Sequence, residues 1–190
     1  MVRKSLPTCT RGIALIEFAL ILPLLLIMLL GSLEIARLAL AHQKLDKAAG
    51  AMADYVTQGT TVNIANLDSF ASAMPQIMQP FNFNGTVIFS SIVFYNNPIP
   101  PCAAGIPCIS WQYRPIGNEG SLVGGVGGQA VLPGGYTVAQ GQNAIIAEVF
   151  IDYTPMLTFT GSLISALAPQ TLYKVSVYKP RQGTLTTLGN

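Results

Sequence analysis

Charge is scarce in this chain: only 9% of its 190 residues are Asp, Glu, Lys or Arg, and ten basic residues against eight acidic ones leave a formal net charge of +2. A nucleic-acid surface needs a concentrated excess of Lys and Arg, so nucleic acid is excluded as a partner. Titratable chemistry is equally thin, with one His and three Cys. A zinc site needs three or four converging ligands, and most hydrolytic nucleophiles need a neighbouring base. No metal, cofactor or small-molecule substrate is therefore expected, and no enzyme. His42 has no second His to complete a ligand set, which leaves it a solvated or interfacial helix residue. Disorder is excluded as well, because 51% of the residues are hydrophobic.

What charge there is has an uneven distribution. Arg3, Lys4 and Arg11 precede the first long apolar run with no acid among them, so the seven basic residues that remain face all eight acidic ones. The run itself, Ile13 to Leu33, is 21 residues with Glu17 as its only charge. At ~1.5 Å per residue it covers roughly 31 Å, one hydrocarbon core. A core helix of a soluble domain would carry a polar stripe, and this run has none. It reads as a transmembrane helix, 13–33, with the N-terminus cytoplasmic because the basic residues stand before it. A secretory signal cut after Ala41 is the competing reading, since Ala39-Leu40-Ala41 supplies an A-x-A pattern. The run exceeds the usual apolar core of a signal peptide, and Glu34 and Arg37 interrupt the approach to that site.

The helical pattern continues through 34–58. Leu38, Leu45 and Met52 recur at seven with Ala41, Ala48 and Tyr55 offset by three. Two heptads fit a short coiled-coil seam or an amphipathic helix packing on its own domain equally well. One helix from about Ala14 to Val56 is expected. Beyond it, 59–190 reads as an exported domain. Asp68 is placed to cap a short helix reaching Met78, with Pro75 interrupting it. Thr86–Tyr95, Cys108–Arg114, Asn143–Thr154 and Leu172–Lys179 read as strands. In the third, Ile145, Ala147, Val149, Ile151 and Tyr153 share one face; in the fourth, Tyr173, Val175 and Val177 point inward. One long helix followed by several strands predicts an α+β fold, a small antiparallel sheet packed on the exposed half of the N-terminal helix.

Three further features need weighing. Cys102 and Cys108 close a short loop in a region expected to be periplasmic, where a disulfide between them is expected and a pair of reduced thiols is the alternative. Cys9 lies on the cytoplasmic side. Gly117 to Gly135 holds eight glycines, and 125–130 formally matches G-x-G-x-x-A, but without a strand-turn-helix setting it reads as a mobile surface loop, 117–135, not a phosphate cradle. Glu148 and Asp152 lie four apart on one strand face, where two solvated carboxylates are commoner than an acid/base pair.

The stretch Arg11-Gly12-Ile13-Ala14-Leu15-Ile16-Glu17-Phe18-Ala19-Leu20, with Pro23, Gly31, Glu34 and Arg37 after it, closely resembles the N-terminus of TadE-like pseudopilins, minor pilin-like components of tight-adherence (Tad, Flp-type) pilus machines in bacteria. The resemblance covers about Arg11 to Ala49, with a looser similarity at a strand carrying Glu148 followed by Tyr153, Thr154 and Pro155. It implies a cytoplasmic leader, 1–12, that a prepilin peptidase removes between Gly12 and Ile13, reading Glu17 and Phe18 downstream. It also implies an inner-membrane protein that joins other pilins and the assembly machinery, with membrane lipid around 13–33. Glu17 at mid-membrane would cost ~2.5–3.5 kcal/mol, less near a helix end, unless partnered. The α-amine of Ile13 on a neighbouring subunit would partner it and fix axial register; an interfacial Glu that snorkels would not need one. The expected function is thus a minor pseudopilin. The alternatives are a permanently anchored periplasmic binding module and a secreted protein released after Ala41.

Overall fold

The computed structural model describes residues 11–98, 100–157, 165 and 168–189. Its first element, α1 (Arg11–Gln58), is a single 48-residue helix. Pro23 lies inside it. That residue lacks the N–H that would bond the carbonyl of Ala19, yet the helix passes it without a break. The described residues fall into two compact units, one within 1–38 and 155–168, the other within 39–154 and 169–190.

In the first unit α1 is apolar on every side. From Ile13 to Leu29 the large hydrophobic side chains are all exposed, between 39% and 76%. Past that run the side chain of Glu34 is buried, and its Oε1 accepts the main-chain N–H of Leu157 at 2.9 Å.

In the second unit the same helix carries a single buried stripe, Ala41, Leu45, Ala48, Ala49, Met52, Ala53 and Val56. Spacings of three and four put these on one face, which settles the heptad question in favour of packing on its own domain. Tyr55 falls outside that stripe and stacks on Phe70 with ring centroids 4.1 Å apart. After α1 come β1 (Val62–Asn63), α2 (Ile64–Ala71) and α3 (Met74–Ile77). The cap of α2 is Asn63, whose Oδ1 accepts from the N–H of Ala65 at 2.8 Å. The expected cap, Asp68, is instead mid-helix and accepts from the Tyr113 hydroxyl at 2.7 Å. Pro75 opens α3 instead of interrupting one longer helix, because a residue without an N–H is tolerated in a first turn.

The main sheet is antiparallel with the order β3 (Cys108–Ile116), β2 (Gly85–Phe94), β4 (Gln142–Tyr153), β5 (Gln170–Tyr178). The fold is α+β, a long N-terminal helix with a small antiparallel sheet, as the order of elements predicts. Gly85 opens β2 where any Cβ would meet the carbonyl oxygen of Phe150 at 1.9 Å. On one face Ile145, Ala147, Val149 and Ile151 of β4 lie beside Tyr178, Ser176, Lys174 and Leu172 of β5. That face meets α1: a Cβ on Gly50 would sit 3.8 Å from the Tyr178 hydroxyl and 3.9 Å from Ser176 Oγ.

The opposite face is covered too, and here the expectation fails. Ile92, Ile109, Ala144 and Ile146 form a second core with Val123, Ala130 and Val138, and Leu132, Val175 and Val177 pack against it. The Gly-rich 117–135 connection, most of whose residues are exposed, is therefore pinned to the sheet through Val123, Ala130 and Leu132. Val175 and Val177 point to this side, away from the Ile145 face. A sheet covered twice explains why the interior of β2 is continuously buried and its sequence does not alternate.

Two ties complete the domain. Cys102 and Cys108 form a disulfide; closing so short a loop contributes about 2 kcal/mol in the chain-entropy picture. The last residues return to the core, where the carbonyl of Leu185 accepts from Ser91 Oγ at 2.7 Å and from Trp111 Nε1 at 3.0 Å. Then β6 (Leu188–Gly189) pairs parallel with β1.

Candidate functional site

The expected processing and assembly residues share the first turns of α1. Gly12, Ile13, Glu17 and Phe18 are all exposed, and nothing lies within 4 Å of a Cβ built on Gly12. Ile13 and Glu17 are four residues apart and so project from the same side of the helix. Among the described residues nothing pairs with Glu17.

Glu148 is the opposite case. Instead of a solvated carboxylate on an outer face, it is fully buried on the central strand β4. Three donors converge on it: the Ser121 hydroxyl, the main-chain N–H of Leu122 at 2.9 Å and the Tyr173 hydroxyl at 3.0 Å. Burial, reinforced by the adjacent Glu148 carboxylate, pushes the Tyr173 phenol above its usual range, so it remains a donor. The residue is the clasp that fixes the Gly-rich connection to the sheet. Asp152 is exposed and takes other partners, Asn84 Nδ2 at 3.3 Å and the Thr171 hydroxyl at 2.9 Å. The two acids share no partner and form no acid/base pair.

The G-x-G-x-x-A stretch is also absorbed by the fold. The N–H of Gly127 donates to Ile109, and that of Ala130 to Pro107, at 2.9 Å each, while Gly128 accepts from the N–H of Ile109. Main-chain donors committed to the edge of β3 cannot cradle a phosphate. His42 is half-buried on α1.

Two features escaped the sequence reading. The clasp was signalled by an acid in the middle of an alternating apolar strand, but its partners come from a connection with no regular pattern. The bond between Glu34 and Leu157 joins residues 123 positions apart, and nothing local announces it.

Together these observations define an α+β protein whose N-terminal helix is suited to anchoring it in a membrane. Residues 12–54 match the family model of the TadE-like protein. That segment, less than a quarter of the chain, contains Gly12, Ile13, Glu17, Phe18 and Glu34, and its similarity to TadE-like proteins suggests a Tad pilus-associated component. Comparison with curated proteins and with solved structures gave no match.

Replacing Glu148 by Ala leaves the Ser121 hydroxyl, the Leu122 N–H and the Tyr173 hydroxyl without their acceptor inside the domain. The cost is about 3 kcal/mol, the usual scale for stranding buried donors. Limited proteolysis of the full chain in detergent should then show faster cutting within 121–140 for Glu148→Ala, and near-parental cutting for Glu148→Gln, which keeps an acceptor oxygen. Equal rates for Glu148→Ala and the parent would remove the clasp.

Proposed function

We propose that the chain is a minor pseudopilin of a Tad pilus system, a structural component without catalysis of its own. A prepilin peptidase cuts it between Gly12 and Ile13, and it passes from the bacterial inner membrane into a pilus. The carrying observation is the TadE-like segment on a helix that is apolar on every side from Ile13 to Leu29 and bears one unpartnered carboxylate, Glu17. An apolar helix surface of this kind is stable only in lipid or against other apolar helices, and a pilin meets both in turn.

The topology follows from charge. Arg3, Lys4 and Arg11 hold the N-terminus in the cytoplasm, and the 59–190 domain is periplasmic, where the Cys102–Cys108 disulfide persists. Removal of 1–12 takes away those three cations and leaves the α-amine of Ile13. That amine on a neighbouring subunit is the partner Glu17 lacks, and the pairing sets the axial register of packed helices. Its partners are accordingly the peptidase, other pilins with the assembly machinery, and membrane lipid.

Two substitutions test this directly. At position 12 the fold leaves open space, so Gly12→Val is harmless to the folded chain. It obstructs a peptidase that needs an unhindered residue at the cut. The variant should keep its leader, read by intact mass; normal Ile13 termini would end the prepilin reading. Glu17→Leu should insert at least as well as the parent, since it removes an insertion cost. It should co-purify with pilus components at least about tenfold less, because the amine of the neighbour is stranded. Glu17→Gln separates charge from shape, and N-terminal mass confirms that both variants are processed. If both are cut and both co-purify as the parent does, Glu17 only snorkels and the register argument is wrong.

A further inference from the structure

Glu34 stands one residue past the apolar run, and it is 1% exposed. Its Oε1 holds the main-chain N–H of Leu157 at 2.9 Å, which brings the start of the β4–β5 connection to the end of the membrane-spanning stretch of α1. Both residues belong to the same compact unit. A main-chain N–H is one of the hydrogen-bond donors that a buried carboxylate needs in an apolar setting.

The residue beside that bond is conspicuous. Met156 is 73% exposed, more than any other large hydrophobic described beyond Leu29. Leu33 and Ile35, flanking Glu34 in sequence, are 55% and 56% exposed. Leu33 and Ile35 continue along α1 the exposed apolar surface that begins at Ile13. The sequence context agrees, because from Tyr153 through Tyr173 there are 21 residues without a single charge, which is unusual for a connection facing water. Exposed apolar side chains at the end of a membrane helix find their most favourable environment at the headgroup–acyl boundary.

We infer that Met156 lies in the lipid interface beside α1 as a second point of membrane contact, and that the bond from Leu157 to Glu34 positions it there. The occupant of this surface is the bilayer. The inference rests on the reading of 13–33 as a membrane span, and its test separates the two.

The full chain carrying Cys9→Ser and Met156→Cys is labelled with a nitroxide at position 156 and placed, one chain per disc, in phosphatidylethanolamine–phosphatidylglycerol nanodiscs. Power-saturation measurements compare access of oxygen, which concentrates in lipid, with access of a water-soluble nickel chelate. Reference labels sit at position 22 in the span and at position 131, an exposed residue of the sheet domain. The oxygen-to-nickel ratio at 156 should exceed that at 131 severalfold and approach that at 22. Adding Glu34→Leu should bring it down to the value at 131, and Glu34→Gln, which keeps an acceptor oxygen, should restore it. A water-like ratio at 156 with a lipid-like ratio at 22 overturns the inference and leaves the anchor standing. Water-like ratios at both positions overturn the two together. A lipid-like ratio at 156 that Glu34→Leu does not change overturns the positioning role of Glu34. With a single chain per disc, contact with a second copy cannot mimic the expected result.

Discussion

One continuous helix serves two environments, and most of the molecule follows from how its side chains change along its length. From Ile13 to Leu29 every direction around α1 is apolar, whereas from Ala41 to Val56 only one stripe is. Apart from the carbonyl of Ala19, which faces Pro23, a helix satisfies its main chain internally, and so it can cross lipid without stranding its N–H and C=O groups. The first half gains nothing from its own fold, and its apolar surface is left for lipid or for other helices. The second half is an ordinary amphipathic helix whose Ala-rich stripe allows close approach to the sheet. Gly50 marks that approach, with Tyr178 and Ser176 within van der Waals reach of a hypothetical Cβ.

A chain with eight acidic residues spends two of them in buried positions, and both do the same thing. Glu34 accepts the N–H of Leu157 and Glu148 accepts the N–H of Leu122, so each holds an irregular connection by its main chain. Connections poor in charge and rich in glycine have few side chains with which to anchor themselves. A carboxylate aimed at the backbone needs none. The same logic accounts for Ser91 and Trp111, whose side chains both donate to the carbonyl of Leu185 and secure a terminal segment that has little regular structure. The result is a sheet covered on both faces, one by a helix and one by a glycine-rich connection.

Regular periodicity was legible in the sequence, and long-range hydrogen bonding was not. The bounds of α1 and of the four long strands follow from apolar runs and turn residues, and the α+β class follows from their order. The Cys102–Cys108 disulfide was legible from the short spacing and the expected periplasmic setting. The cap of α2 was misplaced because Asn63 and Asp68 are both competent caps, and only the turn before α2 decides between them. The packing of the Gly-rich connection was not legible because its anchors are sparse: Val123, Ala130 and Val138 lie far apart among residues with weak preferences, and the carboxylate that holds it lies on β4. Glu17 was legible as an anomaly, since a charge in an apolar run demands a reason, and among the described residues none pairs with it.

The account stands on what becomes of the N-terminus in the cell. Intact-mass measurement on the protein recovered from native membranes distinguishes its readings at once. A chain that begins at Ile13 is the predicted result, with Glu17 five residues from the cut and the three leading cations gone. A chain that keeps Gly12 and everything before it contradicts the account and leaves a permanently anchored module. A chain that begins at His42 contradicts it differently, by removing the membrane helix altogether.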